Sequence, residues 1–139
     1  MTPQQFEAAY LAQTAWRLAQ SDSNDELVAI CCVIRNHVIP KMGFTATYRS
    51  YPKACFDFLT VYPVRDFPNM TEDALISPGG LLSVVEDIYD CKYPDITATQ
   101  STPGALYFAR SASVPPEDWR QSFIHRQLLG TFGSQQFYA

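Results

Sequence analysis

Apolar positions near the start of the chain recur at helical spacing. Phe6, Ala9, Tyr10, Ala12, Trp16, Leu18 and Ala19 make a broad stripe that predicts a helix over Thr2–Gln20, with Pro3 tolerated in its first turn. Ser21-Asp22-Ser23-Asn24 reads as a turn. It ends in Ser23, and Glu26 follows three residues later, which predicts a reciprocal capping box at the start of a second helix. That helix is expected from about Asn24 to Ile39, stopped by Pro40. Its stretch Leu27-Val28-Ala29-Ile30-Cys31-Cys32-Val33-Ile34 is apolar on every side, as a central buried helix requires. A buried strand competes on β-branched content, but the capping box and the polar continuation through Arg35, Asn36 and His37 favour the helix.

The remaining pattern is more broken. Residues Lys41 to Pro52 read as loop, Lys53 to Leu59 as a short helix, and Thr60 to Pro78 as turn-rich, punctuated by Pro63, Pro68 and Pro78. After Gly79-Gly80, a helix is expected with Leu81, Leu82, Val84, Val85, Ile88 and Tyr89 on one face and Glu86, Asp87 and Asp90 in solvent. Beyond Cys91 a Thr/Ser/Pro-rich loop reaches Pro103. Gly104–Ala109 and Leu128–Tyr138 are strand candidates. No repeat or long linker divides residues 1–139, so the expectation is one α+β domain, mainly α, with a small β element.

Composition narrows the function classes. The 139 residues are 47% hydrophobic and 17% charged, which excludes global disorder. A net charge of −4 without a basic block argues against nucleic-acid binding. No apolar run suits a membrane span, and Met1–Glu7 shows no secretory signal, so synthesis in the cytoplasm is expected. Cys31, Cys32, Cys55 and Cys91 lack zinc or redox spacing and read as reduced structural thiols; neither a metal nor a cofactor is implied. His37 and His125 are too isolated for a dyad, and Gly133 is expected at a tight backbone position.

The order of residues across the first two helices carries a more specific signal. Thr14-Ala15-Trp16-Arg17-Leu18-Ala19-Gln20-Ser21-Asp22, Val28-Ala29 and Val33-Ile34-Arg35-Asn36-His37-Val38 resemble the opening of the SleB-like cell-wall hydrolase family. That family reads Trp/Tyr-x-Glu-Ala-Arg-Gly-Glu, then Val-Ala-x-Val-x-x-Asn-Arg-Val, and the register from Trp16 to Val38 needs no gap. Gly104-Ala105-Leu106-Tyr107-Phe108 is similar to its Gly-Ala-Leu-Tyr-Tyr/Phe segment, and Phe132–Tyr138 to its closing Ile-Gly-x-His-x-Phe-Tyr. The resemblance implies a lysozyme-like fold and peptidoglycan glycan strands as substrate, usually cleaved by lytic transglycosylation. That chemistry needs a protonated carboxylic acid at the glycosidic oxygen, held in a partly apolar wall that raises its pKa.

In this register the family's catalytic Glu falls on Leu18, which cannot carry a proton. Its second Glu falls on Asp22, its Arg on Gln20, its Gly on Ser21, and its terminal His on Gln135. The resemblance implies substrate-binding places for Trp16, Asn36, Tyr107 and Gln135, although Trp16 also reads as core and Tyr107 as core or groove. Asp22 is the possible substitute acid, while Asp57 and Asp66 are further acids near a presumed groove. Glu7 stands roughly 16 Å from Leu18 along a helix, too far to serve the same bond. The expectation is a cell-wall-hydrolase-like domain, catalytically degenerate, that binds glycan strands or another chain of a phage particle. The competing expectation is an active peptidoglycan glycosidase or lytic transglycosylase using a substitute carboxylate such as Asp22. On the degenerate reading, Leu18→Glu is expected to leave stability roughly unchanged or slightly lower while restoring some activity.

Overall fold

The computed structural model describes residues 2–21, 23–39, 48–65, 81–99, 104–110 and 127–139. Within them lie four helices and a small three-stranded antiparallel sheet, a mainly helical α+β arrangement. The helices are α1 (Pro3–Leu18), α2 (Asn24–Val38), α3 (Tyr51–Val61) and α4 (Leu81–Tyr89). The strands are β1 (Tyr107–Arg110), β2 (Leu128–Phe132) and β3 (Gln135–Tyr138), in the order β1-β3-β2. No helix among the described residues is long and apolar enough to cross a membrane.

The α2 helix is the centre of the core. Every residue from Leu27 to Ile34 is buried, and α1, α3 and α4 pack around it, so the all-round apolar run is a helix and not a strand. The sheet joins this core through stacked rings. Tyr62 at the end of α3 lies 4.1 Å from Phe108 of β1 and 5.1 Å from Phe58, and Phe108 lies 5.5 Å from Phe137 of β3 (ring centroids). These four rings join the sheet to the helices.

The termini of the elements depart from the sequence expectation in instructive ways. Helix α1 ends at Leu18, because Ala19 turns to extended φ and ψ. Helix α3 starts earlier than Lys53: Ser50 caps it by accepting from Lys53 N at 3.4 Å, and Pro52 sits in the first turn, where no donor is lost. Helix α4 closes with Cys91 N donating to Ile88 O (3.1 Å) and Lys92 N to Asp87 O (2.8 Å). That is a Schellman motif, with Cys91 at φ 61° in the place that glycine favours. Cys91 is exposed while Cys31, Cys32 and Cys55 are buried, so the expectation of structural thiols fails for Cys91.

The expected strand over Leu128–Tyr138 is a hairpin, β2 and β3, joined at Gly133-Ser134. Gly133 has φ +60° and Ser134 does not, which are the φ signs of a type II′ turn. The expectation of a tight backbone position for Gly133 holds.

Candidate functional site

Chemistry is expected at the C-terminal turn of α1, and this turn is closed by protein groups. Once Ala19 N has bonded Ala15 O at 2.8 Å, the carbonyls of Trp16, Arg17 and Leu18 lack donors within the helix. Arg65 supplies two: Nε donates to Trp16 O at 2.8 Å and its backbone N to Arg17 O at 3.0 Å. The side-chain amides of Gln20 and Gln135 both donate to Leu18 O at 3.3 Å. The Leu18 side chain is itself 1% exposed and belongs to the core cluster. It is packing, at a place where a proton donor would need to face a substrate.

The acid nearest to this turn in the hydrogen-bond network is Glu26, and its role differs from the expectation. Ser23 does cap α2, accepting from Glu26 N at 3.4 Å. The Glu26 carboxylate, however, does not return to Ser23 N, so the capping box is half formed. Instead it is fully buried and accepts five bonds. Oε1 takes Ser21 Oγ (2.8 Å), Ser134 N (2.7 Å) and Ser134 Oγ (2.7 Å); Oε2 takes Gln20 N (2.5 Å) and Gln135 Nε2 (3.2 Å). Burial alone would raise its pKa, but the donors from Ser134, Gln20 and Ser21 outweigh burial and hold it below the ordinary carboxylate value. A carboxylate saturated by donors in its ionised form has no proton to give to a glycosidic oxygen. Glu26 clamps the end of α1, the start of α2 and the β2–β3 turn together. Gly133 permits this approach: a Cβ there would stand 2.6 Å from Glu26 Oε1.

Asn36 and Tyr107 meet through the chain leading into β1. Asn36 Nδ2 donates to Asp95 Oδ2 (2.8 Å) and Ala105 O (2.9 Å). The other Asp95 oxygen accepts from Thr97 N and Thr97 Oγ1, and Thr97 Oγ1 accepts from Ala105 N at 2.8 Å. Next along α2, His37 Nε2 lies 2.7 Å from Leu106 O, so this nitrogen carries the hydrogen. Burial pushes His37 below its ordinary pKa, and the bond to Leu106 opposes that without cancelling it. The Tyr107 ring stands edge-on to His37, centroids 6.0 Å apart, and is half-buried. Asn36 and His37 thus order residues 105–107.

Trp16 is half-buried and packs against the core, with the Arg65 guanidinium 4.3 Å above its ring centroid. Of the candidate residues, Leu18 and Gln135 touch directly, Asn36 and Tyr107 are linked through residues 105–107, and Trp16 lies under Arg65. Asp22, Asp66 and His125 fall outside the described residues. Asp57 is inside α3 and pairs with Lys53 at 3.1 Å. Glu7 bonds the Tyr89 hydroxyl of α4.

The sequence reading missed two contributors, Glu26 as a clamp and Arg65 as a cap. For Glu26 a signal existed: it shares a helical face with Ile30 and Val33, four and seven residues on, so an apolar stripe already placed it inside. For Arg65 there was none, because its partners lie 48 and 49 residues earlier. Among the described residues no three of His, Cys, Asp and Glu converge to hold a metal ion. No family model matches the chain, and neither a curated protein nor a solved structure does.

Proposed function

We propose that this chain is a SleB-like, lysozyme-like domain that has kept its scaffold and lost the bond-breaking step. It acts as a non-cleaving module that binds peptidoglycan glycan strands, with a phage particle as one natural setting. The observation that carries this reading is the end of α1. The residue in register with the family's proton donor is Leu18, 1% exposed in the core cluster, its carbonyl taken by Gln20 and Gln135 and the two preceding carbonyls by Arg65. The neighbouring buried acid, Glu26, is held ionised by five donors and cannot take over the role.

The test joins two assays on one protein. Purified peptidoglycan is incubated with the chain between pH 4 and 8, sedimented to read binding, and analysed for released muropeptides. Co-sedimentation without release is the expected result. Release that Asp22→Asn abolishes would overturn the loss of chemistry and establish Asp22 as the acid. Absence of both binding and release would overturn the glycan reading.

A further inference from the structure

An aromatic ring that binds a sugar must offer it a face, and Arg65 covers a face of Trp16. At 4.3 Å from guanidinium carbon to ring centroid, the two groups are in cation–π contact with no room for a pyranose between them. The arginine is brought there by a short extended segment that leaves α3. Tyr62 anchors that segment, with its N bonded to Phe58 O at 2.9 Å and its ring in the aromatic stack. Tyr62 itself is extended, at φ −87° and ψ 152°, as a residue before proline prefers. Beyond it, residues 63–65 lie outside any helix or strand. They are fastened to α1 by Arg65 Nε on Trp16 O, Arg65 N on Arg17 O, and Gln20 Nε2 on Pro63 O at 3.4 Å, while Val64 packs against the core.

We infer that residues 63–65 are an autoinhibitory strap: the Arg65 guanidinium is a resident competitor for the Trp16 face, and a glycan ring reaches that face only when the strap swings away from α1. The inference rests on the glycan-binding reading above. The chemistry of the competition is direct, since an indole face stacks equally on a planar cation and on the C–H face of a sugar. The hinge falls at Tyr62-Pro63, where a buried aromatic anchor gives way to an exposed proline without a backbone donor. The carbonyls of Trp16 and Arg17 that the strap releases lie at a helix end, where water can satisfy them. Strap closure therefore lowers glycan affinity by the free energy of the contacts it must break.

The experiment compares the wild-type chain with Arg65→Gln, both in a Trp119→Phe background that leaves Trp16 as the single tryptophan of the two in the sequence. The probes are a β-1,4-linked N-acetylglucosamine tetramer, followed by tryptophan fluorescence, and purified peptidoglycan, followed by sedimentation. Arg65→Gln is expected to bind about three- to thirty-fold more tightly, the range one lost cation–π contact represents, with a shift in the Trp16 emission on saturation. Wild-type affinity in Arg65→Gln overturns the strap and leaves the glycan reading standing, as does tighter binding without any change in Trp16 emission. Binding of neither probe by either protein overturns both. If Arg65→Gln does not fold, Arg65→Ala clears the ring while keeping the backbone bond of residue 65 to Arg17 O, and the same outcomes decide.

Discussion

Gln135 and Leu18 lie 117 residues apart in sequence, and the amide nitrogen of one donates to the backbone carbonyl of the other at 3.3 Å. The same nitrogen lies 3.2 Å from Glu26 Oε2, so one side chain of β3 closes the end of α1 and joins the carboxylate clamp. Around this contact the chain has built packing where the family resemblance leads one to expect an open acid.

Leu18→Glu is therefore expected to be costly. The side chain is 1% exposed among apolar neighbours, with the polar groups at the helix end already engaged. An uncompensated buried carboxyl destabilises by about 3–5 kcal/mol. The structure thus replaces the expectation of nearly unchanged stability with one of severe loss. Urea denaturation checks it; a midpoint within error of wild type would show that the new acid finds solvent or a partner.

Helical spacing made α1 legible, and α2 was legible because an apolar run too wide for one face must be buried on all sides. The family resemblance singled out Leu18, Asn36, Tyr107 and Gln135, four positions that the structure finds in two hydrogen-bonded or ring-packed clusters. Closure was not legible. Whether Trp16 is open depends on Arg65, and whether Glu26 caps its own helix or reaches Ser134 depends on a hairpin more than a hundred residues away. Local rules favoured the nearby Ser23 partner, and the tertiary donors prevailed because one buried carboxylate accepts five of them.

Glu26→Gln tests the clamp. The amide places its own N–H₂ against groups that are donors already, so a loss of about 2–4 kcal/mol is expected. The wild-type pH dependence follows from the same geometry. Because the folded pKa of Glu26 lies below its ordinary value of 4.5, its stabilisation is complete above that pH and lost as pH falls toward the folded pKa. His37, held below 6.5 by burial, adds an earlier loss beginning near that pH, since the unfolded chain takes up a proton that the folded chain refuses. Denaturation profiles from pH 7 to 3 should show both phases in the wild type. In Glu26→Gln the later one should be flattened, and an unchanged profile below 4.5 would refute the clamp.

Gly133→Ala should destabilise by about 2–4 kcal/mol. The backbone sits at φ +60°, and the added carbon would stand 2.6 Å from Glu26 Oε1 and 2.8 Å from Glu26 Cβ. Gly130→Ala is the control, with its nearest obstacle the edge of the Phe132 ring at 3.3 Å and no positive φ. Thermal melts of the two variants should separate clearly, and equal melting temperatures would mean that the β2–β3 turn relaxes away from the carboxylate.

Cys91→Gly is expected to stabilise the chain. Position 91 takes φ 61° as the left-handed residue of the Schellman motif that ends α4, a conformation costing an L-residue about 1 kcal/mol or slightly more. Glycine removes that strain, and the more flexible unfolded chain returns part of the gain, leaving a net effect of about 0.5–1 kcal/mol, or about 2–4 °C in melting temperature. The same substitution removes the exposed thiol. In the native wild type a thiol reagent should titrate Cys91 rapidly while Cys31, Cys32 and Cys55 react only on unfolding. Fast labelling that persists in Cys91→Gly would show that a buried thiol is reached through opening of the helical core, and a lowered melting temperature would show that the motif depends on the cysteine side chain itself.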